Sequence, residues 1–184
     1  MIAPRGALNL AIGLLPDRQR ACNCLAFSRD MPKLTTRYFK DLEYAVEEVF
    51  EFPVGLPGFE DQNAFLFIAQ PHTNPMIFMQ SLADPNLCFL ALPVLTVDPE
   101  YRLNLSSDDL AALSLDSAST PAIGVDIGCF VLMTVSENSP PTVNLMSPVV
   151  ISFRSRKGIQ AIPATSPYSL RHPLVLEKET APCS

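Results

Sequence analysis

The 184-residue sequence contains no tryptophan, two histidines and seven glycines. It has no catalytic signature. G-x-S-x-G, the P-loop and G-x-G-x-x-G are all missing. The nearest approach to a glycine-rich loop is "VGLPGF" (54–59). There Pro57 lacks an N–H and no long helix follows, which makes a poor phosphate cradle. His72 lies in a turn between Pro71 and Pro75, His172 lies in "RHP", and neither stands at metal-ligand spacing. The five cysteines (22, 24, 88, 129 and 183) are odd in number and irregular in spacing. Cys22 and Cys24 form C-x-C with no second Cys or His pair to complete a zinc site. Cys88 and Cys129 sit in apolar strand-like runs, where a reduced thiol serves as a small hydrophobe and stays protonated. That argues against a Cys88–His172 nucleophile and for a reducing, cytoplasmic setting. No apolar run reaches the ~18–20 residues of a membrane helix. Residues 7–15, "ALNLAIGLL", resemble a short signal-peptide core, but the charged "PDRQRACNC" follows where small residues would be cleaved. The expectation is a chain with no catalytic residues, no metal and no cofactor.

Hydrophobic residues make up 48 % and charged residues 17 %, the balance of a globular domain. Proline is abundant: eighteen residues, nearly twice the usual ~5 %. Proline blocks helix interiors and central strands, so its spread predicts short strands joined by turns. The net charge of −6 is unevenly placed. Residues 1–30 carry four arginines against two aspartates, whereas Asp41 to Asp61 holds seven acids and no base. Such a run either forms solvated strand faces or a surface that repels nucleic acid and anionic membrane and favours basic partners.

From Thr36 the pattern is that of strands. Residues 37–52 read as two strands with a bend, or as strands interrupted by a short helix near 44–49. "AFLFIAQ" (64–70), "MIFMQSL" (76–82), "LCFLALPVLTV" (87–97, ending near Pro93), "IGCFVLMTVS" (127–136), "TVNLM" (142–146), "VVISF" (149–153) and "IQAI" (159–162) are apolar runs bounded by turn residues. "ADPN" (83–86) is a turn, and "RSRKG" (154–158) reads as a solvated basic hairpin turn. Ser106 or Ser107, followed by Asp108 and Asp109, caps one short helix. The fold class predicted is all-β: a small β-barrel-like domain of short antiparallel strands with one or two short helices.

Five blocks occur in order: "TRYF" (36–39), "FPVGLPGFED" (52–61), "QSLADPNLCF" (80–89), "NLMSPVVISFRSRKGIQ" (144–160) and "YSLRHPL" (168–174). Together they resemble the FliW family of bacterial flagellar assembly factors, over about residues 31–174. The sequence departs from that family in the extension 1–30, in Lys40 where glycine is usual, and in the loop Ser117–Asp126. The expected organisation is a non-family extension at 1–30 (disordered, or a start-site artefact with Met31 as the true start), the family domain at 31–174 and a tail at 175–184. The resemblance implies a cytoplasmic protein without enzymatic activity, monomeric when free. It implies binding to flagellin and to the translational regulator CsrA in competition, with CsrA inhibited allosterically, away from its RNA groove. Direct contact with nucleic acid or membrane is not implied. The rivals are a small β-barrel ligand-binding protein or hydrolase, and a general export chaperone. The partner-binding residues expected are Glu47, Glu48, Phe59, Glu60, Asp61 and Met79. Phe52, Leu56 and Phe59 read equally as a plug for the barrel end. Tyr168, Arg171 and His172 are expected to lock the C-terminal segment onto the barrel.

Overall fold

The computed structural model describes residues 31–116 and 120–174. The expected extension and tail, with Cys22, Cys24 and Cys183, lie outside the described residues, as does part of the 117–126 loop. β1 (Lys33–Thr36) and β2 (Lys40–Glu43) form a hairpin that is a two-stranded sheet of its own. β3 (Val49–Glu51), β4 (Ala64–Ala69), β5 (Ile77–Ser81) and β6 (Cys88–Pro93) follow as an antiparallel meander. The ten-residue β7 (Ile127–Ser136) then pairs with β6, with β8 (Ser139–Val143) and with β9 (Val149–Ser152). β10 (Gly158–Gln160) pairs with β9, and the short β11 (His172–Pro173) with β8. The sheet runs β10-β9-β7-β6-β5-β4-β3, and its two ends meet at a parallel bridge between Glu51 and Lys157. There the Glu51 N–H donates to the Arg156 carbonyl at 2.8 Å, so the sheet curls almost into a barrel. The expected all-β class stands.

Several boundaries fall where proline and capping chemistry put them. β6 stops at Pro93, which has no N–H to continue the ladder, and Val94–Val97 turns into the one-turn helix α1 rather than extending the strand. Helix α2 (Ser107–Ala112) starts at Ser106, whose Oγ accepts the Asp109 N–H at 3.1 Å while Asp109 Oδ2 accepts the Ser106 N–H at 2.9 Å. Between β2 and β3 the chain makes a 3-10 turn at Val46–Glu48.

Alternation along β7 explains its unbroken apolar run. Phe130 faces an aromatic core with Phe50, Phe52, Phe65, Phe67, Ile77 and Met79. Ile127, Cys129 and Val131 face a second core with Val94, Tyr101, Leu113, Val143 and Val150. A strand buried on both faces has no polar positions to spare. In the aromatic core Phe52 meets Phe65 edge-on at 5.1 Å and Phe50 meets Phe67 at 5.3 Å, the geometry the ring quadrupole prefers. The C-terminal segment closes the second core. Tyr168 stacks on Tyr101 at 4.3 Å and accepts the Arg102 N–H at 2.8 Å, while the Tyr101 hydroxyl donates to the Leu145 carbonyl at 2.8 Å. His172 joins through backbone pairing with Val143.

Candidate partner-binding surface

The segment Phe52–Asp61 folds as two consecutive tight turns. Gly55 N–H donates to the Phe52 carbonyl at 2.9 Å, and Phe59 N–H donates to the Leu56 carbonyl at 2.7 Å. In the second turn Pro57 supplies the fixed φ of the first central position. Gly58, at φ 82, supplies the positive φ of the next, the requirements of a type II turn. Gly55 sits at φ 65, and a Cβ there would lie 2.6 Å from both Glu60 Cα and the Phe59 carbonyl oxygen, so glycine is demanded twice over. Glu60 Oε1 accepts the Gly58 N–H at 2.8 Å, and that bond holds its carboxyl below the ordinary range.

This scaffold splits the aromatic and aliphatic side chains between two roles. Phe52 and Leu56 are buried in the aromatic core. Phe59 is 37 % exposed, with its ring edge-on to Phe89 at 5.0 Å, and Val54 is 71 % exposed. Phe59 therefore both rests on the barrel end and presents a face outward. The ring contact with Phe89 brings two of the sequence blocks together, and Ser81 Oγ donates to Gln62 Oε1, just past the loop, at 2.6 Å and accepts the N–H groups of Ala83 and Asp84, each at 3.1 Å. Ser81 thus ties the "ADPN" turn to the end of the loop. Sequence reasoning missed Phe89 as the neighbour of Phe59 and Val54 as a second exposed apolar residue of the loop. Val54 carried a signal, as an apolar residue between two turn formers.

The seven acids from Asp41 to Asp61 are all exposed. They are spread over β2, the 3-10 turn, β3 and the loop. Some have local duties: Glu43 pairs with Lys33 at 2.8 Å, and Glu48 Oε2 accepts the Ala45 N–H at 2.9 Å. Glu60 and Asp61 directly follow Phe59 in sequence, and Glu47 and Glu48 lie on the turn that leads into β3.

Two expectations are corrected. Met79 is fully buried in the aromatic core, not an exposed apolar contact. In β5 the odd positions Ile77 and Met79 point inward and Phe78 points outward, and a strand fixes that parity for all its residues together. "RSRKG" is the expected hairpin turn between β9 and β10, but it is only partly solvated: Arg154 is exposed, residues 155–157 are half-buried and Gly158 is buried. The Arg156 guanidinium lies over the Phe50 ring at 4.9 Å, Lys157 Nζ donates to Ser114 Oγ at 3.1 Å, and Ser155 Oγ donates to the Leu113 carbonyl at 2.7 Å. The turn is the seam at which the two ends of the sheet join.

Burial pushes the Cys88 thiol up to about 11 and the Cys129 thiol up to about 12, so neither is a nucleophile near neutral pH. Among the described residues no three or more His, Cys, Asp or Glu side chains converge to hold a metal ion. Of the residues expected to contact a partner, the structure presents Glu47, Glu48, Phe59, Glu60 and Asp61 at the surface and withdraws Met79.

Comparison with known proteins gives one answer. The family model described as FliW protein matches residues 33–174. The flagellar assembly factor FliW of Desulfitobacterium hafniense (strain Y51) is 32% identical over 150 residues, covering 81% of this chain and 95% of that protein. The flagellar assembly factor FliW of Syntrophomonas wolfei is 29% identical over 143 residues, covering 77% of this chain and 88% of that protein. A crystal structure of the flagellar assembly factor FliW aligns with a TM-score of 0.68 at 29% identity, over 80% of this chain and 99% of that one.

Proposed function

The chain belongs to the FliW family of flagellar assembly factors, and on that premise we propose that it binds flagellin and the translational regulator CsrA in mutually exclusive fashion. Flagellin then displaces CsrA or is displaced by it, and CsrA held by this protein no longer represses flagellin translation. The contact lies away from the RNA groove of CsrA, so inhibition is allosteric. The protein acts in the cytoplasm, is monomeric when free, catalyses nothing, and touches neither nucleic acid nor membrane itself.

The observation that carries this reading is the exposure of all seven acids between Asp41 and Asp61, two of them next to the part-exposed Phe59 on a rigid loop. An RNA-binding regulator is basic, and an acidic partner both attracts it and disfavours phosphate nearby. Glu47, Glu48, Glu60 and Asp61 supply the charged rim, which sets on-rate and salt dependence. Phe59 and Val54 supply the apolar anchor for an amphipathic segment of flagellin, which sets the off-rate. A loop held by two glycines and two prolines loses little entropy on binding.

Titration of purified CsrA and flagellin at low and high salt tests the proposal. CsrA association slows with salt and with Glu47→Lys plus Asp61→Lys. Flagellin binding is nearly indifferent to salt and dissociates about tenfold faster with Phe59→Ala. Absence of binding to either partner at micromolar concentration refutes the function. Salt-independent CsrA binding refutes the acidic surface. A general export chaperone would hold an unrelated amphipathic peptide as tightly as flagellin, so the same titration with such a peptide separates the two readings.

A further inference from the structure

Ser81 ends β5 fully buried, and its hydroxyl uses all the bonding it has. A hydroxyl offers one donor and two acceptor sites. Here the donor goes to Gln62 Oε1 at 2.6 Å, and the acceptor sites take the N–H groups of Ala83 and Asp84. Gln62 is itself only 9 % exposed, and its N–H donates to the Phe59 carbonyl at 3.1 Å. A continuous path of hydrogen bonds therefore runs from the Phe59 backbone through Gln62 to β5.

That path ends on the strand pair that also carries the platform of the Phe59 ring. The platform is Phe89, which meets the ring at 5.0 Å and pairs with Met79 in the β5–β6 ladder. Ser81 lies two residues beyond Met79, and its N–H donates to the Leu87 carbonyl at 3.0 Å, joining the same two strands. Ring and backbone of Phe59 are thus held to one frame. Leu56, buried in the aromatic core, anchors the loop before Phe59, and the Ser81–Gln62 bond anchors it after. Without the Ser81 hydroxyl, Gln62 Oε1 is a buried acceptor that lacks a donor. Swinging the side chain out to water relieves that cost, and it draws the Gln62 N–H away from the Phe59 carbonyl.

We infer that Ser81 and Gln62 are a positioning pair for Phe59, holding its ring on Phe89 with one face turned outward. Both are too buried to serve as contacts themselves, so they act on a partner through Phe59. The inference rests on the reading of Phe59 as the apolar anchor for flagellin.

Two variants of the full chain test it. Gln62→Met keeps the length of the side chain, removes the acceptor and leaves the Ser81 bonds to Ala83 and Asp84 in place. Ser81→Ala breaks the pair from the other side. In the free protein, nuclear Overhauser contacts between the Phe59 and Phe89 rings weaken in both variants, while those between Phe52 and Phe65 in the core stay as in the wild type. Purified flagellin dissociates from either variant about threefold faster or more, the value of one neutral hydrogen bond. In a Phe59→Ala background the same substitutions add less than about 1.5-fold, because residues that act through Phe59 have nothing left to act on. Unchanged Phe59–Phe89 contacts in Gln62→Met overturn the pair. So does parallel loss of the Phe52–Phe65 contacts in that variant, or an undiminished further loss of binding in the Phe59→Ala background, either of which marks a merely structural role. Failure of the wild-type chain to bind flagellin refutes the partner reading instead, and the ring contacts of the free protein then decide the pair by themselves.

Discussion

Replacing Gly158 with alanine would set a methyl carbon 2.3, 2.5 and 2.8 Å from three ring carbons of Phe52. Carbon atoms in contact prefer about 3.5 Å or more, so the ring or the strand must shift by roughly 1 Å. Neither has room. Phe52 is fully buried, edge-on to Phe65 at 5.1 Å and stacked over Phe67 at 6.5 Å. Gly158 is held in register opposite Ile151, next to the Glu51–Lys157 bridge that joins the ends of the sheet. Overpacking of a tight core costs about 1–3 kcal/mol, and this contact belongs near the top of that range. For a chain of this size the melting temperature should fall by about 4–10 °C. Urea unfolding followed by circular dichroism reads the effect, and Phe52→Leu supplies the control. Leucine alone leaves a cavity, but it makes space for the added methyl. The double variant should therefore be more stable than the sum of the two single losses predicts, by about 1 kcal/mol or more. A loss below about 0.5 kcal/mol for Gly158→Ala, or strict additivity with Phe52→Leu, would refute the claim that Phe52 packs on Gly158 with no room to spare.

Gly55→Ala meets backbone atoms at 2.6 Å and a φ of 65, neither of which a side-chain rearrangement relieves. A loss of about 2 kcal/mol or more is expected in urea unfolding, and the Phe59 surface should lose its partner affinity with it. The thiols make stability fall in alkali. Burial raises Cys88 to about 11 and Cys129 to about 12 from the ordinary 9.0, so the folded protein keeps protons that the unfolded chain releases. Their contribution is whole below about pH 9 and is lost as pH rises through the folded values. The unfolding midpoint should decline from about pH 9 to pH 11, and Cys129→Ala should flatten that slope. An unchanged slope in the variant would assign the decline elsewhere, with Tyr101, whose hydroxyl burial also pushes up, the next group to remove.

Much of the fold was legible because strands need only two signals, an apolar run and a bounding turn. β4, β5, β7 and β9 follow their runs within a residue or so. The helix at Ser107–Ala112 announced itself through Ser106 and Asp109. What escaped depends on contacts distant in sequence. Nothing local says that "RSRKG" will be covered. Its partial burial arises because Glu51, about a hundred residues earlier, returns to pair with Lys157 and brings Phe50 under Arg156. The run "TVNLM" begins at Thr142, but β8 starts at Ser139, includes Pro140 and Pro141, and ends at Val143. Pro141 stays compatible with pairing because its carbonyl, which proline keeps, accepts the Leu174 N–H at 3.0 Å.

The candidate surface was legible to the extent that charge and turn chemistry decide it. Acids with no neighbouring base must face water unless they are paired, and all seven do. The glycines of "FPVGLPGFED" fix the loop, and the structure uses both of them at positive φ. Apolar residues carry no such label. Phe59 and Met79 read alike in sequence as large, apolar and close to turns, yet one is 37 % exposed and the other fully buried. The difference is parity. Gln80 and Phe78 share one face of β5, so Met79 between them must take the other, and the other is the aromatic core. A polar residue in a strand does not by itself mark a solvated face: Gln80 is fully buried, its amide donating to the carbonyls of Ser81, Asp84 and Leu87 at the turn that follows β5.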